Sequence, residues 1–179
     1  MRRLHFADEA ELYAHKAWHT LKLEPPADLY IVADKLGIEI CEREFAREID
    51  GLYLRLPGAP PVIAINNSYV KPTVRRRFTL AHEIGHHLLG RRIQPGSRLF
   101  FFDTSQMRRS SLERACDRFA ALLLMPEPWV RRYYAELASN PENRVQIMAG
   151  RFEVSSWAMK RRLTELQLQT SPFHARFPG

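Results

Sequence analysis

The run Thr79-Leu80-Ala81-His82-Glu83-Ile84-Gly85-His86-His87-Leu88 contains the pattern H-E-x-x-H. Residues four apart on a helix share a face, so His82 and His86 can aim both imidazoles at one metal ion. Glu83, beside the first histidine, can reach a water on that ion while angled away from ligating it. The uncharged neighbours Ile84, Gly85 and Leu88 suit a helix buried beneath an active-site cleft. The alternative is a surface helix with incidental histidines. A helix this apolar would gain nothing from burying an unpaired His and Glu, so the metal reading is preferred.

Catalytic zinc takes three protein ligands and keeps one position for water. Asp103, Glu113, Asp117 and Glu127 lie downstream as candidates for the third ligand. Glu113 is the best placed, in the first turn of an expected helix with Asp117 four residues on, along the same face. That spacing lets Glu113 bind metal while Asp117 accepts a hydrogen bond from a ligand histidine and sets its tautomer. The plainer alternatives are a charge at a helix N-terminus for Glu113 and a salt bridge for Asp117. His15 and His19 also stand four apart, but Lys16 follows the first of them. A lysine repels a cation and cannot act as a base, so this pair reads as polar-face histidines. Tyr69, His87, Tyr133, Tyr134 and an arginine from 91–110 are all candidates to stabilise an oxyanion; packing on the next helix is the simpler role for His87.

The elements that must position these groups follow from periodicity. Residues 7–22 read as an amphipathic helix with Asp8 and Glu9 near its N-terminal end. Pro25-Pro26 breaks it, a second helix covers 27–36, and Gly37 suits its C-terminal cap. Residues 38–42 alternate as a half-buried strand does. Two more strands are expected at 51–56 and Val62–Asn66, joined by the turn-rich Pro57-Gly58-Ala59-Pro60-Pro61 as a hairpin. Helical spacing runs over 73–89 and Gly90 stops it. Residues 91–110, with Phe100-Phe101-Phe102, read as a long irregular and functional segment. Helices are expected at 110–124, 127–138, 141–151 and 155–168.

Several of these segments together resemble the ImmA/IrrE family of metallopeptidases. Val62-Ile63-Ala64-Ile65-Asn66 is similar to the strand before that family's active-site helix, and Arg77 through His86 to its most distinctive run. Glu113 through Pro126 resembles the helix that supplies the third ligand, and Phe152-Glu153-Val154-Ser155 with Arg162-Leu163 the C-terminal helical segment. Leu122 departs from the glutamate common there, and Cys116-Asp117 from Ala-Asn or Ala-Asp. The resemblance spans roughly residues 27–168 and implies zinc on His82, His86 and Glu113, with Glu83 catalytic. Two histidines and a carboxylate also admit manganese. It implies a zincin-like α+β fold, mostly helical, with a small three-stranded antiparallel sheet packed on the active-site helix. A single metallopeptidase domain is expected over 1–170, with a helical, helix-turn-helix-like subregion at 141–168 and a flexible tail at 171–179. The C-terminal sensor domain of larger members is not expected in these residues, so a sensing mechanism tied to it is not carried over. The implied substrate is a helix-turn-helix transcriptional repressor, cut to release stress, phage or mobile-element genes.

Hydrophobic residues make up 45% of the 179 positions and aromatics 11%, enough for a real core. No apolar run approaches the length that spans a bilayer, and no apolar stretch follows the basic start, so a cytoplasmic protein is expected. Cys41 and Cys116 lie far apart and read as small core residues, with no cysteine zinc site. The net charge is +7, with arginine clusters at 75–77, 91–92, 108–109, 131–132 and 160–162 (Lys160 leading the last). Such a field suits an acidic or nucleic-acid partner, or is merely a solvated surface. A DNA-binding regulator is therefore an alternative, with Met148–Phe152 and the basic helix after Ser155-Ser156-Trp157 as a helix-turn-helix pair. The preferred contrary reading packs Trp157, Leu163 and Leu166 inward. A metal-bound scaffold without turnover is a third.

Overall fold

The computed structural model describes residues 5–68, 72–91, 99–104, 110–139 and 141–169. Along the chain run α1 (Phe6–Leu21), α2 (Leu29–Lys35), β1 (Glu39–Arg43), β2 (Ile49–Arg55), β3 (Val62–Asn66) and α3 (Thr73–Gly90). Then come β4 (Leu99–Thr104), α4 (Ser111–Leu124), α5 (Glu127–Glu136), α6 (Arg144–Phe152) and α7 (Ser156–Glu165). The mostly helical α+β class is as expected. Short polar side chains set the helix starts, because each supplies an acceptor to an otherwise orphaned first-turn N–H. Asp28 accepts from the amides of Tyr30 and Ile31, Ser110 from Glu113, and Ser155 from Ala158. Gly37, at φ +68°, ends α2 in the left-handed conformation.

The sheet differs from expectation in strand number and direction. It has four strands in the order β1-β3-β2-β4. The β2–β3 hairpin is antiparallel and β4 adds to β2 antiparallel, but β1 lies parallel to β3. The sheet is thus mixed. Asn66, fully buried, holds the connection that swings the chain from β1 across to β2. Its Nδ2 donates to the carbonyls of Phe45, Ala46 and Ile49, and its Oδ1 accepts from the amides of Phe45 and Ser68. β3 is consequently central, with Ile63, Ala64, Ile65 and Asn66 all buried, as expected of a strand covered on both faces. An extended peptide pairing along Val62–Asn66, the sheet edge that the sequence suggests for it, is therefore excluded, because β1 and β2 flank β3. Within this sheet the edges are β1 and β4. The fourth strand lies inside the segment read as irregular.

Packing places α3 between the sheet and α4, with α1 on α4 as well. Two glycines permit this closeness. A Cβ on Gly51 would meet Thr79 Cγ2 at 2.6 Å, so β2 sits against α3. A Cβ on Gly85 would lie 3.1 Å from Cys116 Cα, 3.2 Å from its Cβ and 3.3 Å from Phe119 Cδ1, so α3 and α4 nearly touch there. On α1, Ala10 and Ala14 are buried, and Trp18 Nε1 donates to the Leu123 carbonyl at 2.9 Å. Among the described residues no helix is long and apolar enough to cross a membrane.

Candidate metal centre

Every residue of α3 from Thr79 through His87 is buried, which fixes the histidine face in the interior. One turn apart, His82 and His86 bring their Nε2 atoms to 3.0 Å. The close approach at Gly85 delivers Glu113 from the first turn of α4. Its Oε2 lies 3.1 Å from His82 Nε2 and its Oε1 3.3 Å from His86 Nε2. Four bonds of zinc length in a tetrahedron would hold ligand atoms about 3.4 Å apart, so these donors fit one small cation. Of the described residues, His82, His86 and Glu113 form the group of three able to hold a metal ion. Burial raises the Glu113 pKa, but hydrogen bonds and charge from His82 and His86 outweigh it and bring the carboxyl down to about 2. The group is therefore a carboxylate, the form that ligates.

Asp117, one turn further along α4, sits 2.9 Å from His82 Nδ1. The tautomer that donates Nδ1–H to Asp117 leaves the Nε2 lone pair aimed at the cluster. Glu83 is completely buried on the same turn of α3. His87 points to the sheet instead: its Nδ1 and the Tyr53 hydroxyl are 3.0 Å apart. It packs on β2 rather than on the next helix. Burial, then the charges of Arg91 and Arg55, lowers its pKa to about 4, so its ring is neutral at ordinary pH. Phe101 of β4 lies flat on the His86 ring, 4.3 Å between centroids at 14°, which brings the edge strand to the cluster.

Other sequence candidates fall elsewhere. Glu127 pairs with Arg131 on α5. Tyr133 packs against Phe152 and under Arg151, and Tyr134 under Arg144. His15 and His19 bring their ring centroids to 4.1 Å, tilted at 45°, on the exposed side of α1. They line a cleft with Trp18, Leu122 and Trp129 that shares no residue with the metal cluster. Cys116 is fully buried and Cys41 half-buried. Asp103 lies on β4, but its side chain is outside the described residues, as are Tyr69, the arginines of 92–98 and 105–109, and the 171–179 tail. Sequence reasoning missed Tyr53 and Phe101. The only signal for Phe101 was the aromatic run itself, and Tyr53 carried none.

No curated protein matches the chain. A family model does: the IrrE N-terminal-like domain, Peptidase_M78, covers residues 33–164, a span that takes in the sheet, α3, α4 and the whole histidine–carboxylate cluster. The chain belongs to this peptidase family.

Proposed function

We propose that the protein is a cytoplasmic zinc-dependent endopeptidase, with manganese as the alternative ion, that cuts a helix-turn-helix transcriptional repressor and so releases stress, phage or mobile-element genes. The observation that carries the reading is the meeting of His82, His86 and Glu113 beside a buried Glu83. His82, His86 and Glu113 would hold a divalent cation there, and bound it would polarise the substrate carbonyl and lower the pKa of a water from about 15.7 toward about 7. The Glu83 carboxylate takes that water's proton and passes it to the leaving amine, as general base and then general acid. Asp117 keeps His82 in its ligating tautomer throughout. An extended peptide adds to the sheet at β4, whose Phe101 already touches His86, and backbone pairing then sets its carbonyl in register.

The test is Glu83→Gln, which keeps size and metal ligands but removes the base. Metal-loaded variant and parent are compared on a purified repressor encoded beside this chain. A fall in cleavage of about 10²–10⁴-fold is expected. Unchanged cleavage refutes the role of Glu83. Absence of cleavage by the metal-loaded parent favours the scaffold reading.

A further inference from the structure

At the C-terminal end Trp157 is 66% exposed, against the expectation that it packs inward, while Leu163 and Leu166 are buried. The cations around it are balanced or interior: Arg161 pairs with Glu165, Arg118 with Glu11, and Arg162 is 3% exposed. A less ordinary arrangement lies beside the His82–His86–Glu113 cluster, where four aromatic rings close a circuit. Tyr53 and Phe101 are Cα partners across β2 and β4, and their rings stack at 6.3 Å between centroids and 24°. Phe101 in turn lies on His86, at 4.3 Å and 14°. Tyr53, fully buried, meets the next residue of α3 edge-on. Its ring is 5.8 Å from that of His87 at 80°, and its hydroxyl is 3.0 Å from His87 Nδ1. Two consecutive residues of α3 thus hold two paired residues of the sheet.

The circuit bears on metal binding because an imidazole plane is otherwise soft. The χ2 torsion of histidine joins an sp³ to an sp² carbon, and its wells are broad. A ligand histidine therefore takes its plane from what touches it. For His82 that contact includes Asp117, 2.9 Å from Nδ1. On His86 one such contact is a ring face. Turning the imidazole about χ2 would drive its edge into Phe101, which a 4.3 Å separation between near-parallel rings does not allow. With the plane held, His86 Nε2 stays 3.3 Å from Glu113 Oε1 and 3.0 Å from His82 Nε2. Phe101 is itself flanked by Tyr53, whose hydroxyl is tied back to α3.

We propose that Phe101 is a positioning residue for metal binding: its ring sets the plane of His86, and the Tyr53–His87 hydrogen bond steadies Phe101. The role rests on the reading that the cluster takes up a divalent cation, and it makes the edge strand β4 part of the ligand geometry. The full chain is stripped with chelator, then loaded with zinc against a chromophoric competitor and, separately, with cobalt(II), whose visible bands report coordination geometry. Phe101→Leu keeps apolar bulk but loses the flat face, so zinc affinity should fall about tenfold and the cobalt bands should shift. Phe101→Tyr keeps the face and should hold affinity within about twofold of the parent, with parental bands. Tyr53→Phe keeps its ring but breaks the tie to His87, and should weaken zinc binding about threefold with a smaller shift of the bands. Parental zinc affinity and cobalt bands in Phe101→Leu overturn the proposal, whatever its melting temperature. So does a loss that Phe101→Tyr shares. If Phe101→Leu fails to fold, Tyr53→Phe decides, and parental cobalt bands there overturn the proposal. A parent chain that takes up neither ion overturns the metal reading itself, and the positioning role with it.

Discussion

Replacing Gly85 by alanine sets two calculable effects against each other. In a helix interior alanine is favoured over glycine by about 1 kcal/mol. Against this, the new methyl would stand 3.1–3.3 Å from Cys116 Cα, Cys116 Cβ and Phe119 Cδ1, inside ordinary van der Waals contact. Two of those atoms belong to the α4 backbone or to a Cβ fixed to it, and neither can rotate away. The helices must separate by a few tenths of an ångström, and overpacking of this kind costs about 1–3 kcal/mol. The expected net loss is about 1 kcal/mol, or about 2–4 °C in the melting temperature of the metal-free protein. Metal binding should suffer more than stability, because His82 and His86 ride on α3 and Glu113 on α4, so separation opens the ligand triangle. A roughly tenfold weaker zinc affinity corresponds to about 1.4 kcal/mol. The assay pairs melting in chelator with competition for zinc against a chromophoric chelator. Gly150→Ala is the control, since nothing lies within 4 Å of its added Cβ, and it should stabilise α6 by about 0.5–1 kcal/mol. If Gly85→Ala stabilises as much as Gly150→Ala, with zinc affinity intact, the tight crossing is not what sets the site.

Further outcomes follow from other contacts. Asp117→Asn should lower zinc affinity about 10–100-fold with little change in metal-free melting, because this partly exposed carboxylate orients His82. Asn66→Ala strips partners from the Phe45, Ala46 and Ile49 carbonyls and should cost about 2–4 kcal/mol in denaturant unfolding. Arg162→Ala should cost about 2–4 kcal/mol in the same measurement, while Arg161→Ala next to it stays within about 0.5 kcal/mol. Glu136, held down chiefly by its hydrogen bond from Arg132 and then by Arg151, should titrate below 4.5 by carbon NMR. The small stabilisation it gives is present above that pH and fades as pH falls through the folded value. Arg132→Ala should move its midpoint back up.

The meeting of the candidate ligands was legible because it rests on local periodicity. His82 with His86 and Glu113 with Asp117 are each one helical turn apart, and helix spacing is the strongest signal a sequence carries. What the spacing could not give was the closeness of the two helices, which depends on Gly85 meeting Cys116 across thirty-one residues of chain. The strand errors have the same origin. β1 and β2 are neighbours in sequence, and sequential strands usually pair, but β3 is inserted between them once the β2–β3 hairpin closes. Nothing local in residues 39–43 says which side of that hairpin they join. β4 was hidden because Leu99-Phe100-Phe101-Phe102 is a continuous apolar run without alternation, bounded by polar segments. Trp157 was misplaced for a related reason. An aromatic at helical spacing is ordinarily core, and only the packed partners of α7 show that this one has none behind it.

The Trp18–Leu123 hydrogen bond has a consequence for how little of the chain can be kept. The family match begins at residue 33, whereas α1 ends at Leu21 and seals one side of the helix that bears Glu113. A chain trimmed to the matched segment would lose the donor to the Leu123 carbonyl, along with the cover that Ala10 and Ala14 give. The uncovered strip of α4 would face water as an apolar patch, the usual start of aggregation. The smallest piece that keeps α4 covered therefore begins at about Phe6, some way ahead of where relatedness becomes detectable.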